Sequence, residues 1–219
     1  MIGATVFVFA TEAEARPLLD TFGQARLRDS LLPLYGVGDA LLLVCGSGPS
    51  AAAAAIDRLA ADYKPRRVVL GGVARRLHER LPVGAIAHIG VASFERPLRA
   101  TYAPLARILT HQQIGQHADC ILVSCATAPE DDSGRAHLAA GADLLDGEGA
   151  AVAHACVTHA IECAIFKAIG AAAGEPALSA GLSAELNTRL AAFLLRHYAI
   201  LTAATQGQDA FHGTLVAVS

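Results

Sequence analysis

The sequence predicts an α/β fold: one three-layer α/β/α domain spanning residues 1–219, with a central sheet that is mixed but mainly parallel. Three observations predict it. Continuous apolar runs of strand length recur along the chain, and helix-like segments stand between several of them. A content of 53% hydrophobic and 17% charged residues gives 219 residues ample material for one sizeable core. Apolar runs without alternation belong to strands covered on both faces, and strands that alternate with helices build parallel sheets sandwiched by helices.

The first run, ATVFVFA at 4–10, leads into a helix-like segment at 12–20, where Thr11 and Glu14 form the spacing of a capping box. The stretches around 28–45 and 80–103 read as successive strands, which places antiparallel neighbours in the sheet. Within the former, ALLLVC at 40–45 ends in a Gly46-Ser47-Gly48 turn before a helix at 49–62 that Ser47 or Ser50 would cap. The run VVLGG at 68–72 ends in Gly71-Gly72, a charged loop follows, and AIAHIGV at 85–91 begins after Val83-Gly84. Then come CILVSC at 120–125, a polar stretch APEDDSGRAH at 128–137 expected as a mobile loop, and an alanine-rich helix at 149–160. CAIFKAI at 163–169 is the last strand run, and the longest helix is expected at 184–204 with Ser183 as its cap.

Composition excludes several classes. The net charge is −3 and Lys and Arg gather only in pairs such as Arg66–Arg67 and Arg75–Arg76, so no surface tracks a phosphate backbone and nucleic acid is not an expected partner. The opening MIGATVFVFATEAEA lacks a basic leader and turns acidic at once, which reads as a buried first strand and a cytoplasmic protein. The alanine-rich stretch 149–173 is interrupted by His154, His159, Glu162 and Lys167, so no membrane insertion is expected. Five cysteines, at 45, 120, 125, 156 and 163, have no C-x-x-C spacing, and nine scattered histidines show no H-E-x-x-H. Neither a disulfide framework nor a metal site is predicted, and no cofactor.

In an open α/β sheet the ligand sits at the carboxyl ends of the strands, and four such junctions stand out. At FATEAEARPLL, 9–19, Glu14 caps a helix. At VCGSGPSAAAA, 44–54, glycines could admit a phosphate or ribose to backbone N–H groups or simply make a tight turn. At KPRRVVLGGVARRLHERLPVGAIAHIG, 64–90, Arg75 and Arg76 either hold an anion or face solvent. At LLDGEGAAVAHAC, 144–156, Asp146 and Glu148 precede a helix; they cap it, or one carboxylate accepts two sugar hydroxyls with its spare lone pairs.

Taken in order, these junctions resemble the purine nucleoside phosphorylase/nucleosidase superfamily, and most closely its methylthioadenosine/S-adenosylhomocysteine nucleosidase branch, over most of residues 4–173. FATEAE aligns Glu14 with the family Glu that handles the attacking water, and Cys45-Gly46-Ser47-Gly48 matches the Ser-Gly-Ile-Gly turn. KPRRVVLGGVARRLHERLPVGA matches the family's Lys-Pro, apolar strand, Thr-Gly-Ser-Ala-Gly-Gly-Leu and Val-Gly-Asp without a gap. LDGEGAAVAHAC places Glu148 at the residue that binds the ribose hydroxyls, and Lys167-Ala168-Ile169-Gly170-Ala171 falls on Arg-Ala-Ile-Ser-Asp. The resemblance therefore implies Glu14 as the catalytic residue and Glu148, Gly46, Ser47, Gly72, Val73, Gly147 and Arg75 around a nucleoside-like small molecule, in a homodimer. A further relative is the hopanoid-associated phosphorylase-like group, in which an apolar substrate would suit apolar replacements.

The departures from the family pattern cluster. Val73 and Arg75 replace Ser and Gly of the substrate loop, Gly147 replaces Met of the ribose motif, and Gly170-Ala171 replaces Ser-Asp, so Ala171 stands where the family keeps the acid that protonates the leaving purine. Two readings follow: N-glycosidic cleavage of a divergent nucleoside-like substrate, by hydrolysis rather than phosphorolysis because the first junction is Glu-rich, or a catalytically silent nucleoside-binding or regulatory relative. Glu175 and Lys167 are the replacement acids nearest in sequence to Ala171. Because the neighbouring pocket positions have changed with it, Ala171→Asp is expected to raise release of adenine from methylthioadenosine by less than about tenfold, against the 10²–10⁴ of a well-placed general acid. Chromatographic assay of the variant beside the parent chain checks this, and a hundredfold gain would show that the pocket lacks only its acid.

Overall fold

The computed structural model describes residues 3–23, 25–27, 30–94, 100–102, 117–176, 178–203 and 215–217. The chain runs β1 (Thr5–Phe9), α1 (Glu12–Phe22), β2 (Leu34–Val37), β3 (Ala40–Val44), α2 (Pro49–Tyr63), β4 (Arg67–Leu70), β5 (Val73–Arg76), β6 (Ile86–Phe94), β7 (Ala100–Tyr102) and β8 (His117–Ser124). It continues through α3 (Asp132–Ala139), β9 (Leu144–Asp146), α4 (Gly149–Thr158), β10 (Glu162–Ala172), α5 (Ala180–Arg196), α6 (Tyr198–Thr202) and β11 (Leu215–Ala217). Among the described residues the strands join in the order β11-β7-β6-β8-β9-β5-β10-β4-β1-β3-β2.

The sheet is mixed and lies between two helical layers, as expected. β1 pairs in parallel with β3 and β4, and β10 with β4 and β5, while β2–β3, β5–β9, β6–β7 and β6–β10 are antiparallel. Alternate residues of each strand feed opposite cores. Val6 and Val8 of β1 join Ile56 and Leu59 of α2 and Val152 and Cys156 of α4 on one face. Phe7 and Phe9 join Leu18 of α1, Leu190 and Leu194 of α5 and Leu201 of α6 on the other. Both faces of β1 and β4 are buried, which is why their sequences are unbroken apolar runs.

β4 and β5 are one strand interrupted at Gly71-Gly72. Arg67–Leu70 pair with Glu162–Ile165 of β10, and after the break Val73 and Ala74 pair with Ala168 and Ile169 without a slip in register. What changes at the break is the strand's other neighbour: β4 lies beside β1, β5 beside β9. The sheet therefore splits there, between the carboxyl end of β1 and that of β9.

Several local expectations are corrected. The charged loop expected after Gly72 is the strand Val73–Arg76, because pairing with β9 and β10 overrides two arginines in its sequence. The polar stretch at 128–137 is not a loop throughout, since Asp131 accepts a hydrogen bond from Gly134 N and starts α3. The long helix begins earlier than expected, capped by Ser179 rather than Ser183, and ends at Arg196 before the separate turn Tyr198–Thr202. Gly48, not Ser47 or Ser50, is the N-cap of α2. Parts of the strand-like stretch 80–103 and the last residue of the helix expected at 184–204 lie outside the described residues. Among the described residues no helix is long and apolar enough to cross a membrane.

His88 on β6 is 1% exposed, its ring centroid lies 5.3 Å from that of Phe166, and among the described residues its Nε2 has no hydrogen-bond partner. Burial lowers its pKa, against an opposing pull from Asp119. The folded chain holds the imidazole neutral, while the unfolded chain takes up a proton below about pH 6.5. Stability is therefore complete above that pH and declines as pH falls toward the depressed folded value. Urea unfolding at pH 7.5 and 5.5 should show a loss that His88→Phe reduces; an equal loss in both proteins would remove His88 as the cause.

Candidate functional site

Four chain segments bring charged groups to the split in the sheet. Glu14 stands in the first turn of α1, where its carboxylate closes the expected capping box: Oε2 accepts from Thr11 N at 3.1 Å and Thr11 Oγ1 at 3.3 Å. Its Oε1 reaches across to accept from Val73 N at 3.3 Å, at the start of β5. Capping and a place in the site are thus compatible roles of one side chain. Lys167 projects from the middle of β10, and its Nζ lies 2.8 Å from Asp146 Oδ2, with both side chains only 2% exposed.

Gly72 is the point where these groups close on each other. A Cβ there would lie 3.1 Å from Glu14 Oε1 and 3.2 Å from Lys167 Nζ, and the backbone φ of +149° also favours glycine. Any side chain would intrude between the carboxylate and the ammonium.

Asp146 ends β9. Its Oδ1 accepts from Ser124 Oγ at 2.5 Å, and both its oxygens lie within reach of Gly149 N, at 3.1 and 3.0 Å. Ser124 Oγ in turn accepts from Ala150 N at 2.8 Å. The capping expected of this acidic pair thus falls to Asp146 and Ser124, which satisfy the first donors of α4. Glu148 makes no side-chain cap; its Oε1 accepts from Gly48 N at 2.8 Å, tying the β9–α4 junction to the start of α2. Among the described residues its other oxygen accepts no hydrogen bond.

The electrostatics follow from this crowding. Burial lowers the pKa of Lys167, but Asp146, Glu148 and Glu14 outweigh it and hold the ammonium above its ordinary value. Burial raises the pKa of Glu148, with Lys167 and the Gly48 N–H opposing and Asp146 and Glu14 reinforcing. Cys45, between the same groups, is pushed up to about 12 first by burial and then by Glu148, so its thiol is no nucleophile.

Beside this polar cluster opens a cleft of about 390 Å³ lined by Val73, Ala74, Arg75, Cys125, Ala128, Leu145, Asp146, Gly147, Gly170, Leu178 and Ser183. Its size suits a small heterocycle or sugar. A Cβ on Gly147 would meet nothing closer than 3.9 Å, whereas one on Gly170 would lie 3.0 Å from Val73 Cγ1. The glycine at 147 leaves open space, and that at 170 is filled by its neighbour. Among the described residues no group of His, Cys, Asp or Glu is arranged to hold a metal ion.

The structure thus brings together Glu14, Gly72, Val73, Gly147, Arg75 and Glu148 of the sequence-derived site, with Gly46 and exposed Ser47 on the turn whose next residue, Gly48, binds Glu148. Ala171 is half-buried on β10, outside the cleft lining. Of the two candidate replacement acids, Lys167 is ion-paired with Asp146 at 2.8 Å, and Glu175 Oε2 accepts from Ala172 N at 3.1 Å. Arg75 Nη1 donates to Ala172 O at 3.3 Å and Glu175 O at 2.7 Å, and Arg76 Nη1 to Leu81 O at 3.3 Å. Ser124 and the Lys167–Asp146 pair are the members that sequence reading missed. A lysine inside the apolar run CAIFKAI was the available signal, because a buried ammonium needs a counter-charge.

The mixed sheet between two helical layers is the fold of solved nucleosidases. The chain is similar to the solved 5′-methylthioadenosine/S-adenosylhomocysteine nucleosidase of Campylobacter jejuni, with TM-score 0.78 and 16% identity over 89% of this chain and 97% of that one. The Colwellia psychrerythraea nucleosidase of the same name, in complex with adenine, gives TM-score 0.78 and 16% identity over 99% of both chains. Futalosine hydrolase of Helicobacter pylori gives 0.76 and 17% over 89% and 97%. No family model and no curated protein matches the sequence. The fold implied by the resemblance is the one the chain has.

Removing the ammonium should expose how much the site depends on it. Lys167→Met leaves Asp146 buried without a counter-ion, and loss of one partner of such a pair costs about 3–5 kcal/mol. Urea unfolding at pH 7 should show that loss. A loss below about 1 kcal/mol would mean that the pair is not coupled to folding.

Proposed function

We propose that this chain hydrolyses the N-glycosidic bond of a nucleoside-like substrate. The observation that carries the reading is the convergence of Glu14 and Lys167 at Gly72, with Glu148 near enough to act on the Lys167 ammonium, at the split in the sheet next to a cleft of nucleoside size. N-glycosidic cleavage develops an oxocarbenium-like sugar, which calls for negative charge beside it and a nucleophile on its far face. Glu148, with one oxygen fixed by Gly48 N, orients its other oxygen toward two ribose hydroxyls. Glu14, oriented by Thr11 and Val73, accepts the proton of the attacking water. Lys167, held as an ammonium by Asp146, Glu148 and Glu14, balances the negative charge of the carboxylates.

Water is favoured over phosphate as the nucleophile. A carboxylate at the nucleophile's position repels a phosphate dianion, and Arg76, the second arginine of the pair, is turned to Leu81 O. The similarity in fold to solved nucleosidases, one holding adenine and one a futalosine hydrolase, supports the same reading. The second reading, a nucleoside-binding protein without catalysis, is favoured by Ala171 and by the mainly apolar cleft lining.

A chromatographic screen of adenosine, inosine, methylthioadenosine and related nucleosides, with and without phosphate, separates the two. Base release without phosphate is expected, and Glu14→Gln should reduce it by about 10²–10⁴-fold. Release that requires phosphate would replace hydrolysis with phosphorolysis, and ligand binding with no release would establish the silent reading. Glu148→Gln should weaken methylthioadenosine binding by about 1.5–3 kcal/mol in calorimetry, with little change in Tm because Glu148 does not cap its helix. As the charged form is needed and its pKa is raised, kcat/KM should fall on the acid side through a value above the ordinary carboxylate range.

A further inference from the structure

When a glycosidic bond breaks, its electron pair leaves with the departing group. That charge is met by a proton delivered during cleavage, or by a fixed positive donor beside the ring over which it spreads. In this cleft the lining carboxylate, Asp146, is committed to Lys167, Ser124 and Gly149. Each of these contacts uses its oxygens as acceptors.

Arg75 offers the alternative. It lines the same cleft, and its Nη1 is fixed on two carbonyls of the turn that follows β10, Ala172 O and Glu175 O. Among the described residues Nε and Nη2 take no hydrogen-bond partner, and no carboxylate lies within ion-pair distance of the guanidinium. A guanidinium anchored at one edge, open at the others and permanently charged is a preorganised site for a developing anion. Val73, Leu145 and Leu178 supply the apolar walls against which a flat ring would lie.

We infer that the substrate's leaving group departs as an anion stabilised by Arg75, so that the substrates are ribosides of acidic heterocycles or phenols and not of bases that must be protonated to leave. The inference rests on the hydrolase reading above. In the step, the water oxygen bonds to C1′ as the bond from C1′ to the leaving atom breaks, and the electron pair goes with the ring. Glu14 takes a proton from the water, the released anion is protonated by solvent or by Glu14, and nothing is oxidised or reduced.

The test uses the full chain with 4-nitrophenyl β-D-ribofuranoside, a series of aryl ribosides of graded phenol acidity, and adenosine. The aryl ribosides should be cleaved with kcat/KM that falls as the phenol becomes less acidic, and 4-nitrophenyl riboside at least about a hundredfold faster than adenosine. Arg75→Met should lower kcat/KM for 4-nitrophenyl riboside by about ten- to a hundredfold, the scale of a charge-assisted hydrogen bond, and steepen the dependence on acidity. Arg75→Lys should restore part of the rate. Equal losses across the aryl series would show that Arg75 only anchors the turn, and would overturn the inference. So would adenosine cleaved at the higher rate, which leaves the hydrolase reading intact. Loss of the rate in Cys125→Ser with Arg75 intact would assign proton delivery to Cys125 and overturn it also. Cleavage of neither class, with nucleoside binding retained, overturns the hydrolase reading itself and this inference with it.

Discussion

An ammonium group removed from water must be surrounded by negative charge, and Lys167 is 2% exposed in the middle of β10. Its ion pair with Asp146 decides where the neighbouring elements can sit. Asp146 must lie at the end of β9, so β9 must pair beside β5 and α4 must start where its first donors meet Asp146 and Ser124. Glu14 approaches from α1 beside Gly72, and Glu148 from the residue that precedes α4. Three carboxylates from two junctions, β1–α1 and β9–α4, thus act on one buried cation.

The split in the sheet and this charge cluster are two aspects of one arrangement. Had β4 and β5 continued with the same neighbours, β1 would cover the position that Glu14 now reaches. The change of partner at Gly71-Gly72 leaves Val73 N free of the sheet on that side, and Glu14 Oε1 takes it up. Gly48 N is left over in the same way at the start of α2, and Glu148 takes that one. Each carboxylate is thus aimed by a backbone donor that the fold would otherwise leave unsatisfied. Groups oriented before the substrate arrives need little reorganisation during reaction.

The parts of this arrangement that were legible in the sequence are those governed by local chemistry. β1, β3, β4 and β10 carry apolar runs because both faces are covered, and Thr11 with Glu14 is a local motif. β5 and β9 were not legible. Val73–Arg76 contains two arginines and Leu144–Asp146 is three residues long, and both are strands only because their neighbours supply the ladder. The caps at Asp131 and Ser179 went unseen for a related reason, since the first lies in a polar stretch with many possible caps and the second starts its helix a turn before the apolar periodicity. Within the site, Glu14 and Glu148 were legible as acids just past strand ends. The partner of Lys167 was not, because pairing across 21 positions of chain depends on the register of β9 beside β5.

The two ends of the site have been treated differently, and their physics explains why that is possible. At the charged end, Lys167 offsets Asp146, Glu148 and Glu14, so its loss would leave buried carboxylates without a counter-charge. At the other end, Gly170 packs against Val73 and Ala171 is a half-buried strand residue, and neither carries a charge that another group requires. Substitution there is limited by packing alone. In the hydrolysis proposed above, such a scaffold keeps its charged cluster while its apolar end is open to substitution, and Arg75 on β5 is the charge that lines that end.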